Sequence, residues 1–268
     1  MSSAWLPYVI ILLSAAQDGD LELVNHRRTY GHLGALRPKE TGMLPGDSAH
    51  FTFDIKNLKQ DENGKASYSI AIEIKDASGK VFFEQRPYNS VAQNFLGGNA
   101  LPCSAHVEIP LDAKPGPVDW KVTVVDRTTK KSASIAGKGN ILPPDFGIVH
   151  VGLYGDAEAK TPISPVGVVG ESAYLQISTV GFARSKDTKQ PDLQISMRIL
   201  DEKGQPTMIK PLVGKINANV AAKDQMLPVQ FGITMNRVGR FTVELTAEDR
   251  ISGKRAQISY GIRVLALD

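Results

Sequence analysis

Cys103 and the five histidines are the residues of this chain best suited to nucleophilic or metal chemistry. A thiolate is a strong nucleophile, and neutral imidazole is a common zinc ligand. Cys103 precedes Ala105 and Val107 on an alternating apolar run, so its side chain is predicted to be a small buried hydrophobe. The alternatives are a reactive thiol or a bridge between chains, because one cysteine cannot form an internal disulfide.

The spacing of the histidines predicts no metal site. His50 and His106 fall at outward strand positions, and no cysteine or carboxylate cluster completes a known ligand pattern around them or around His26 and His32. The acidic turns at residues 17–20 and 60–64 lack the spaced oxygen ligands and closing Glu of a calcium-binding loop. We therefore predict surface histidines, solvated turns, and no bound metal or cofactor.

The sequence contains no recognisable catalytic motif. It has no Gly-Xaa-Ser-Xaa-Gly elbow, no phosphate-binding loop and no His-Glu-Xaa-Xaa-His pattern. We therefore predict that the protein is not an enzyme. A hydrolase with an unrecognised site is the remote alternative.

Composition and charge narrow the range of partners. Of the 268 residues, 42% are hydrophobic and 22% charged, with 24 Gly and 16 Pro. This composition is typical of a folded protein with many turns. The net charge of +3 is scattered along the sequence, which is too little to predict binding to nucleic acid or to an anionic membrane surface.

The first residues resemble an export signal. An apolar run at residues 5–13 is followed by Ser14-Ala15-Ala16, whose small side chains suit cleavage by signal peptidase after Ala16. The run is about half of the roughly 20 apolar residues that a membrane-spanning helix needs. We therefore predict an exported protein with no transmembrane segment after signal cleavage; the alternative is an uncleaved anchor.

The two halves of the sequence repeat each other. At a shift of 124 residues, Tyr30-Gly31 falls on Tyr154-Gly155, and residues 46–49 fall on residues 170–173. Later blocks match at shifts of 125, 126 and 123 residues, with the length changes in loops. We predict a signal peptide at 1–16, a first domain at 17–141, a Pro-rich linker at 142–145 and a second domain at 146–268. Tyr30 and Tyr154 are predicted to mark strand ends where the ring covers the core and the following Gly bends the chain.

Both copies alternate apolar and polar residues with the period of half-buried strands. About seven short strands per copy, separated by frequent turns, are typical of a two-sheet sandwich. We therefore predict an all-β fold of two tandem immunoglobulin-like β-sandwich domains related by internal duplication. The predicted inward positions are Phe51, Phe53, Ile55, Ile70, Ile72, Ile74, Val107, Ile109, Val118, Trp120, Val122 and Val124, then Leu175, Ile177, Ile195, Met197, Ile199, Phe231, Ile233, Met235, Phe241, Val243 and Leu245.

A matched Asp-Arg pair recurs where a strand gives way to a hairpin. These pairs are Asp126-Arg127 in the first copy and Asp249-Arg250 in the second. An Asp in this position can accept backbone N–H groups of the turn, while the Arg lies across the sheet. A structural role for both pairs is therefore favoured over a binding role.

Four short segments of the sequence resemble those of uncharacterised exported proteins of planctomycete-type bacteria. They are residues 44–47, 76–81, 96–102 and 125–128. The resemblance would cover nearly the whole mature chain and implies an envelope or secreted protein of unknown role, with no catalytic residues to transfer. More loosely, Pro115-Gly116 before a strand is similar to bacterial immunoglobulin-like and fibronectin-like modules, which indicates fold and not function.

These features together predict a non-enzymatic binding or structural module of the cell envelope with a protein partner. The candidate contact loop is residues 86–101, which contain Tyr88, Phe95 and a Gly-Gly pair. The alternative for this segment is a sheet-crossing connection with Phe95 buried. Carbohydrate binding is the second functional hypothesis, although few aromatic residues are available to stack on sugars.

Overall fold

The computed structural model describes residues 19–38 and 41–267, and these contain fifteen strands and no helix. The predicted signal peptide and its cleavage site lie outside the described residues. The strands of the first half are β1 (Glu22–Thr29), β2 (Ser48–Lys56), β3 (Lys65–Asp76), β4 (Val81–Gln93), β5 (Ala100–Glu108), β6 (Gly116–Asp126) and β7 (Ser132–Ile141). Those of the second half are β8 (Gly147–Tyr154), β9 (Val166–Val168), β10 (Ser172–Val180), β11 (Leu193–Leu200), β12 (Leu212–Ile216), β13 (Met226–Thr234), β14 (Gly239–Asp249) and β15 (Lys254–Leu265).

Each half forms a sandwich of two sheets with the same strand order. In the first half, sheet β1-β2-β5 faces sheet β4-β3-β6-β7. In the second half, sheet β13-β10-β8 faces sheet β12-β11-β14-β15-β9. The added strand β9 runs parallel to β15, and the first half keeps only an isolated parallel bridge between Met43 and Ile141 at the matching place. This shared topology confirms the predicted all-β fold of two tandem immunoglobulin-like sandwiches.

The alternating residues point inward and form two hydrophobic cores, one for each half. The centre of each core is fully enclosed: Val122 is 0% exposed in the first half and Leu245 is 0% exposed in the second. Trp120, Ile199 and Phe241 are only half-buried, and the Trp120 ring packs against Phe51 with centroids 4.3 Å apart. The predicted linker at 142–145 falls between β7 and β8; the domain boundaries themselves stay a prediction.

Candidate functional site

Tyr88 lies in a strand and not in the predicted long loop. β4 extends to Gln93 and pairs antiparallel with β3, for example Tyr88 with Ile70 and Val91 with Ser67. Only residues 94–99, called the apical turn below, connect β4 to β5. The polar stretch around Pro87 suggests a loop in the sequence, but β4 is the edge of its sheet and Pro87 sits at a bulge, where proline is tolerated.

Phe95 is exposed at the tip of the apical turn, so the alternative of a buried Phe95 is wrong. The side chain is 81% exposed, and its neighbour Leu96, which no sequence pattern distinguishes, is 101% exposed. Gly97 and Gly98 follow with φ of +74° and +89°, a conformation that favours glycine and reverses the chain. Phe95 and Leu96 are the two central residues of a turn in which the Gly97 amide donates to the Asn94 carbonyl at 3.3 Å, and both side chains face solvent.

Hydrogen bonds from the neighbouring β2–β3 loop hold the apical turn in place. The Asn94 amide donates to the Gly64 carbonyl at 2.8 Å, and the Asn57 amide donates to the Asn99 carbonyl at 2.9 Å. Within the turn, Asn94 Nδ2 donates to the Gly98 carbonyl at 3.0 Å. The apolar tip is therefore presented by a preformed backbone.

The second copy lacks this apolar tip. At the shift of 126 residues that aligns Leu101 with Leu227, Phe95 and Leu96 fall on Ala221 and Ala222. The second-copy turn is held instead by the Arg184 guanidinium, which donates to the carbonyls of Ala221 at 2.9 Å and Asp224 at 2.8 Å. The exposed aromatic and aliphatic pair is therefore particular to the first copy.

Asp126 and Asp249 make equivalent hydrogen bonds in the two copies. Asp126 Oδ1 accepts from the Thr128 and Thr129 amides at 2.7 and 3.1 Å, and Oδ2 accepts from the Lys59 amide at 2.9 Å. Burial acts to raise the pKa of Asp126, but these backbone N–H groups outweigh it and the net pKa is lowered. The carboxylate ties the β6–β7 turn to the β2–β3 loop.

In the second copy, Asp249 Oδ1 accepts from the Ile251 and Ser252 amides at 3.1 and 3.4 Å, and Oδ2 accepts from the Ala183 amide at 2.8 Å. Arg127 and Arg250 are exposed beside these buried carboxylates. Their backbone amides donate to the carbonyls of residues 67 and 192, both at 2.9 Å. These contacts stabilise loops in the same way in each half.

Tyr30 covers a hydrophobic core, but it is the core of the second half. The residue follows β1, is 7% exposed and belongs to the second core cluster. Its ring centroid lies 6.3 Å from that of Tyr260 on β15. Gly31, at φ +69°, brings the backbone so close to Val151 that an added Cβ would lie 2.9 Å from its carbonyl oxygen. Its repeat partner Tyr154 is half-buried at the end of β8.

Polar groups of both halves meet beside Tyr30. Arg37 and Asp47, both of the first half, form a buried ion pair, and the Arg37 guanidinium lies 5.4 Å from the centroid of the Tyr30 ring. Asp47 Oδ1 also accepts from the His150 amide of the second half at 3.5 Å. His150 Nε2 lies 3.1 Å from Glu108 Oε2. The hydrogen bond with Glu108 raises the pKa of His150 against the effect of burial, and the same bond lowers the pKa of Glu108. The junction is therefore a packed interface and not a bare linker.

Three histidines of the first half, His32, His50 and His106, lie together near this junction without forming a metal centre. His50 and His106 stack with ring centroids 5.4 Å apart, and His32 Nδ1 lies 2.6 Å from Ser104 Oγ. Burial, and then the neighbouring His106, lowers the pKa of His50 to about 4. Within residues 19–38 and 41–267, no group of three His, Cys, Asp or Glu side chains is placed to hold a metal ion.

Cys103 is half-buried on β5 and packs against the first core. Burial raises the pKa of its thiol, while a hydrogen bond with Tyr68 acts weakly in the opposite direction. The protonated thiol is a poor nucleophile. The residue is less enclosed than the sequence predicts, because β5 is an edge strand.

Comparison with known proteins assigns no family. No family model matches this chain. No curated protein matches it either. Among solved structures, it is similar to dimeric latent PorU from Porphyromonas gingivalis, with 13% identity, 98% of this chain and 22% of that chain covered, and a TM-score of 0.42.

Two further solved structures are more distant. Red sea bream transglutaminase is 10% identical, with 92% of this chain and 31% of that chain covered and a TM-score of 0.28. The C-terminal domain of the AgI/II polypeptide BspA from Streptococcus agalactiae is 7% identical, with 89% and 99% covered and a TM-score of 0.28. The chain thus spans less than a third of the PorU and transglutaminase chains. Such distant likenesses assign no function, and the resemblance to exported planctomycete-type proteins stays a prediction.

Within residues 19–38 and 41–267, the structure contains no helix of the length and apolar character needed to span a bilayer.

Proposed function

We propose that this chain is a non-enzymatic, exported binding module of the cell envelope that contacts a protein partner through the apical turn. The observation that carries the proposal is the exposure of Phe95 and Leu96 on a hydrogen-bonded turn. Export is supported by the apolar run at residues 5–13 and the small residues after it.

The energetics of the apical turn favour recognition. Burying a Phe or Leu side chain contributes about 1.5–3 kcal/mol each, so both together supply much of the free energy of a micromolar contact. Because the turn is already ordered by its own hydrogen bonds, little additional entropy is lost when it binds. Central apolar anchors of this kind dominate many protein interfaces.

The internal duplication supports a protein as the partner. The corresponding end of the second sandwich packs against the first: Val180 and Met226, at the ends of β10 and β13, approach Gly46 closely enough to contact a Cβ placed there. This end of the fold therefore already serves as a domain–domain interface in the same molecule. In the first copy the same end carries the apolar pair, and Asp20, just before β1, accepts a hydrogen bond there from Asn57 Nδ2 at 2.8 Å.

Site-specific photo-cross-linking tests this proposal. The probe is benzoylphenylalanine at position 95 of the chain in its native envelope, and the matched control is the same probe at position 251, where Ile251 is 41% exposed in the second half. We expect one discrete protein adduct from position 95 that is absent from position 251. Equal labelling from both positions, or adducts with lipid or glycan alone, would contradict a protein partner at the apical turn.

Carbohydrate binding is the second candidate, because the exposed rings of Tyr88 and Phe95 could stack on sugars. A glycan array probed with the chain and with Phe95→Ala tests it. Binding that is lost in the variant would support this alternative, and a flat array would remove it.

A further inference from the structure

One sheet of the second half has an edge strand, β13, that no charged side chain protects. In the sheet β13-β10-β8, β13 has a strand neighbour on one side only among the described residues. Its nine residues, Met226–Thr234, include no Lys, Arg, Asp or Glu, and Pro228 alone blunts the edge near its start. Natural edge strands are commonly protected by charged side chains. The free edge of β13 therefore offers unpaired backbone groups suited to another strand.

An apolar groove lies beside this edge. It has a volume of about 370 Å³ and reaches between the two sheets of the second half. The groove is open beside β12, because β12 has five residues whereas its counterpart β4 has thirteen. The apolar side chains that line it include Met197, Ile199, Met208, Leu212, Ile233 and Phe241.

The first copy shows what chemistry covers this surface. There Ile74 and Val118 are 2% and 5% exposed, and Phe82 and Phe83 of β4 pack against the core. The matching residues of the second copy, Ile199 and Phe241, are only half-buried. Apolar side chains of β4, which pairs with β3, thus cover in the first copy what remains half-buried in the second, while β5, the counterpart of β13, is likewise a sheet edge.

The mouth of the groove carries a cation. The Arg237 guanidinium lies 5.1 Å from the centroid of the Phe241 ring. The pKa of the nearby Asp201 is lowered, mainly by the hydrogen bond from the Gln205 amide and to a smaller extent by the charge of Arg237. The Asp201 carboxylate already accepts from the amides of Lys203 and Gln205, at 3.0 and 2.9 Å. An acidic residue in an incoming segment could therefore pair with Arg237.

We propose that the free edge of β13 binds an extended segment of a partner protein and adds it as a fourth strand to the β13-β10-β8 sheet. This place is taken by an intrinsic fourth strand in constant-type immunoglobulin domains. Backbone hydrogen bonds to β13 supply affinity, while apolar side chains at alternate positions enter the groove and one acidic residue pairs with Arg237. The site is separate from the apical turn, so this proposal does not depend on the proposed function.

Selection from a displayed library of random decapeptides on residues 17–268 tests the proposal. We expect the selected peptides to share apolar residues at every second position together with an Asp or Glu. A synthetic peptide of the selected sequence should slow hydrogen exchange of alternate β13 amides, because strand addition protects them. Binding that leaves those amides unprotected would overturn strand addition.

Two variants locate the contact, and one serves as a control. Leu212→Lys and Arg237→Glu, both at exposed positions of the groove, should each weaken peptide binding about tenfold or more, the loss expected for one apolar or ionic contact. Val91→Lys, on the exposed edge strand of the first half, should leave binding unchanged. A selection without consensus, equal affinity for all variants, or self-association of the chain through β13 would overturn the proposal.

Discussion

Tyr30→Ala should destabilise the second half of the molecule although the residue belongs to the first. The ring is 7% exposed and packs beside Tyr260 within the second core. Replacing a buried aromatic by alanine costs about 3–5 kcal/mol. We take the lower end, about 3 kcal/mol, because the Tyr30 loop lies at the margin of the core, where the neighbouring chain can partly close the cavity.

Urea unfolding with two probes separates the halves. Trp120 is the one tryptophan of residues 17–268, so its fluorescence reports the first half, while far-ultraviolet circular dichroism reports the strands of both. With a typical slope of about 2 kcal/mol per molar urea, a loss of 3 kcal/mol moves a midpoint by about 1.5 M. In Tyr30→Ala we expect the part of the dichroism change that comes from the second half to move to lower urea by about this amount, while the fluorescence transition stays in place.

Tyr154→Ala is the matched control, since Tyr154 is the repeat partner, is half-buried and lies in neither core cluster. It should cost about 1 kcal/mol or less, as is usual outside the core. If Tyr30→Ala shifts both probes equally, or shifts neither by more than the control does, then Tyr30 does not stabilise the second core.

Three other substitutions and one labelling experiment have defined outcomes. Gly34→Ala should prevent native packing of the Tyr30 loop, because its Cβ would lie 1.6 Å from the Tyr30 carbonyl oxygen, and expression with a thermal melt would show it. Asp126→Ala should cost about 3 kcal/mol by leaving several amides without an acceptor, measured by urea unfolding, and near-equal stability to the parent would count against it. Cys103 should react with a thiol reagent far more slowly in the native chain than in urea, because burial raises the pKa of its thiol. Glu108→Gln should remove a pH-dependent stabilisation of up to about 1 kcal/mol. Because the pKa of His150 is raised, this stabilisation is present at mildly acidic pH and is lost as pH rises through that pKa. Identical pH profiles of stability for parent and variant would exclude it.

The fold was predictable because two independent regularities agree. Alternation at positions such as Phe53 and Leu175 places side chains inward in both copies, and the repeat requires one topology for both halves. The extent of β4 was not predictable from these patterns. Its centre, with Glu84, Arg86 and Pro87, is polar because it lies at a sheet edge facing solvent, and such an edge strand has the composition of a loop.

The candidate site was predictable only in part. The Gly-Gly pair next to Phe95 indicates a turn, but whether the ring points inward or outward depends on the hydrogen bonds that Asn94 and Asn57 make across the loops. The role of Tyr30 could not be read from the sequence, because the same Tyr-Gly pair in the second copy leaves Tyr154 outside both cores. That difference arises from how the two sandwiches pack, which no local pattern encodes.

The differences between the copies indicate where copy-specific roles lie. Residues that the copies share, such as Asp126 and Asp249, make the same hydrogen bonds twice and therefore support the fold. Features present in one copy cannot be required by the common fold: the apolar pair of the first copy falls on two alanines in the second, and the long β4 has a short counterpart in β12. Because exposed apolar surface is costly to maintain without an occupant, these two unshared features are the places where we expect this protein to meet its partners.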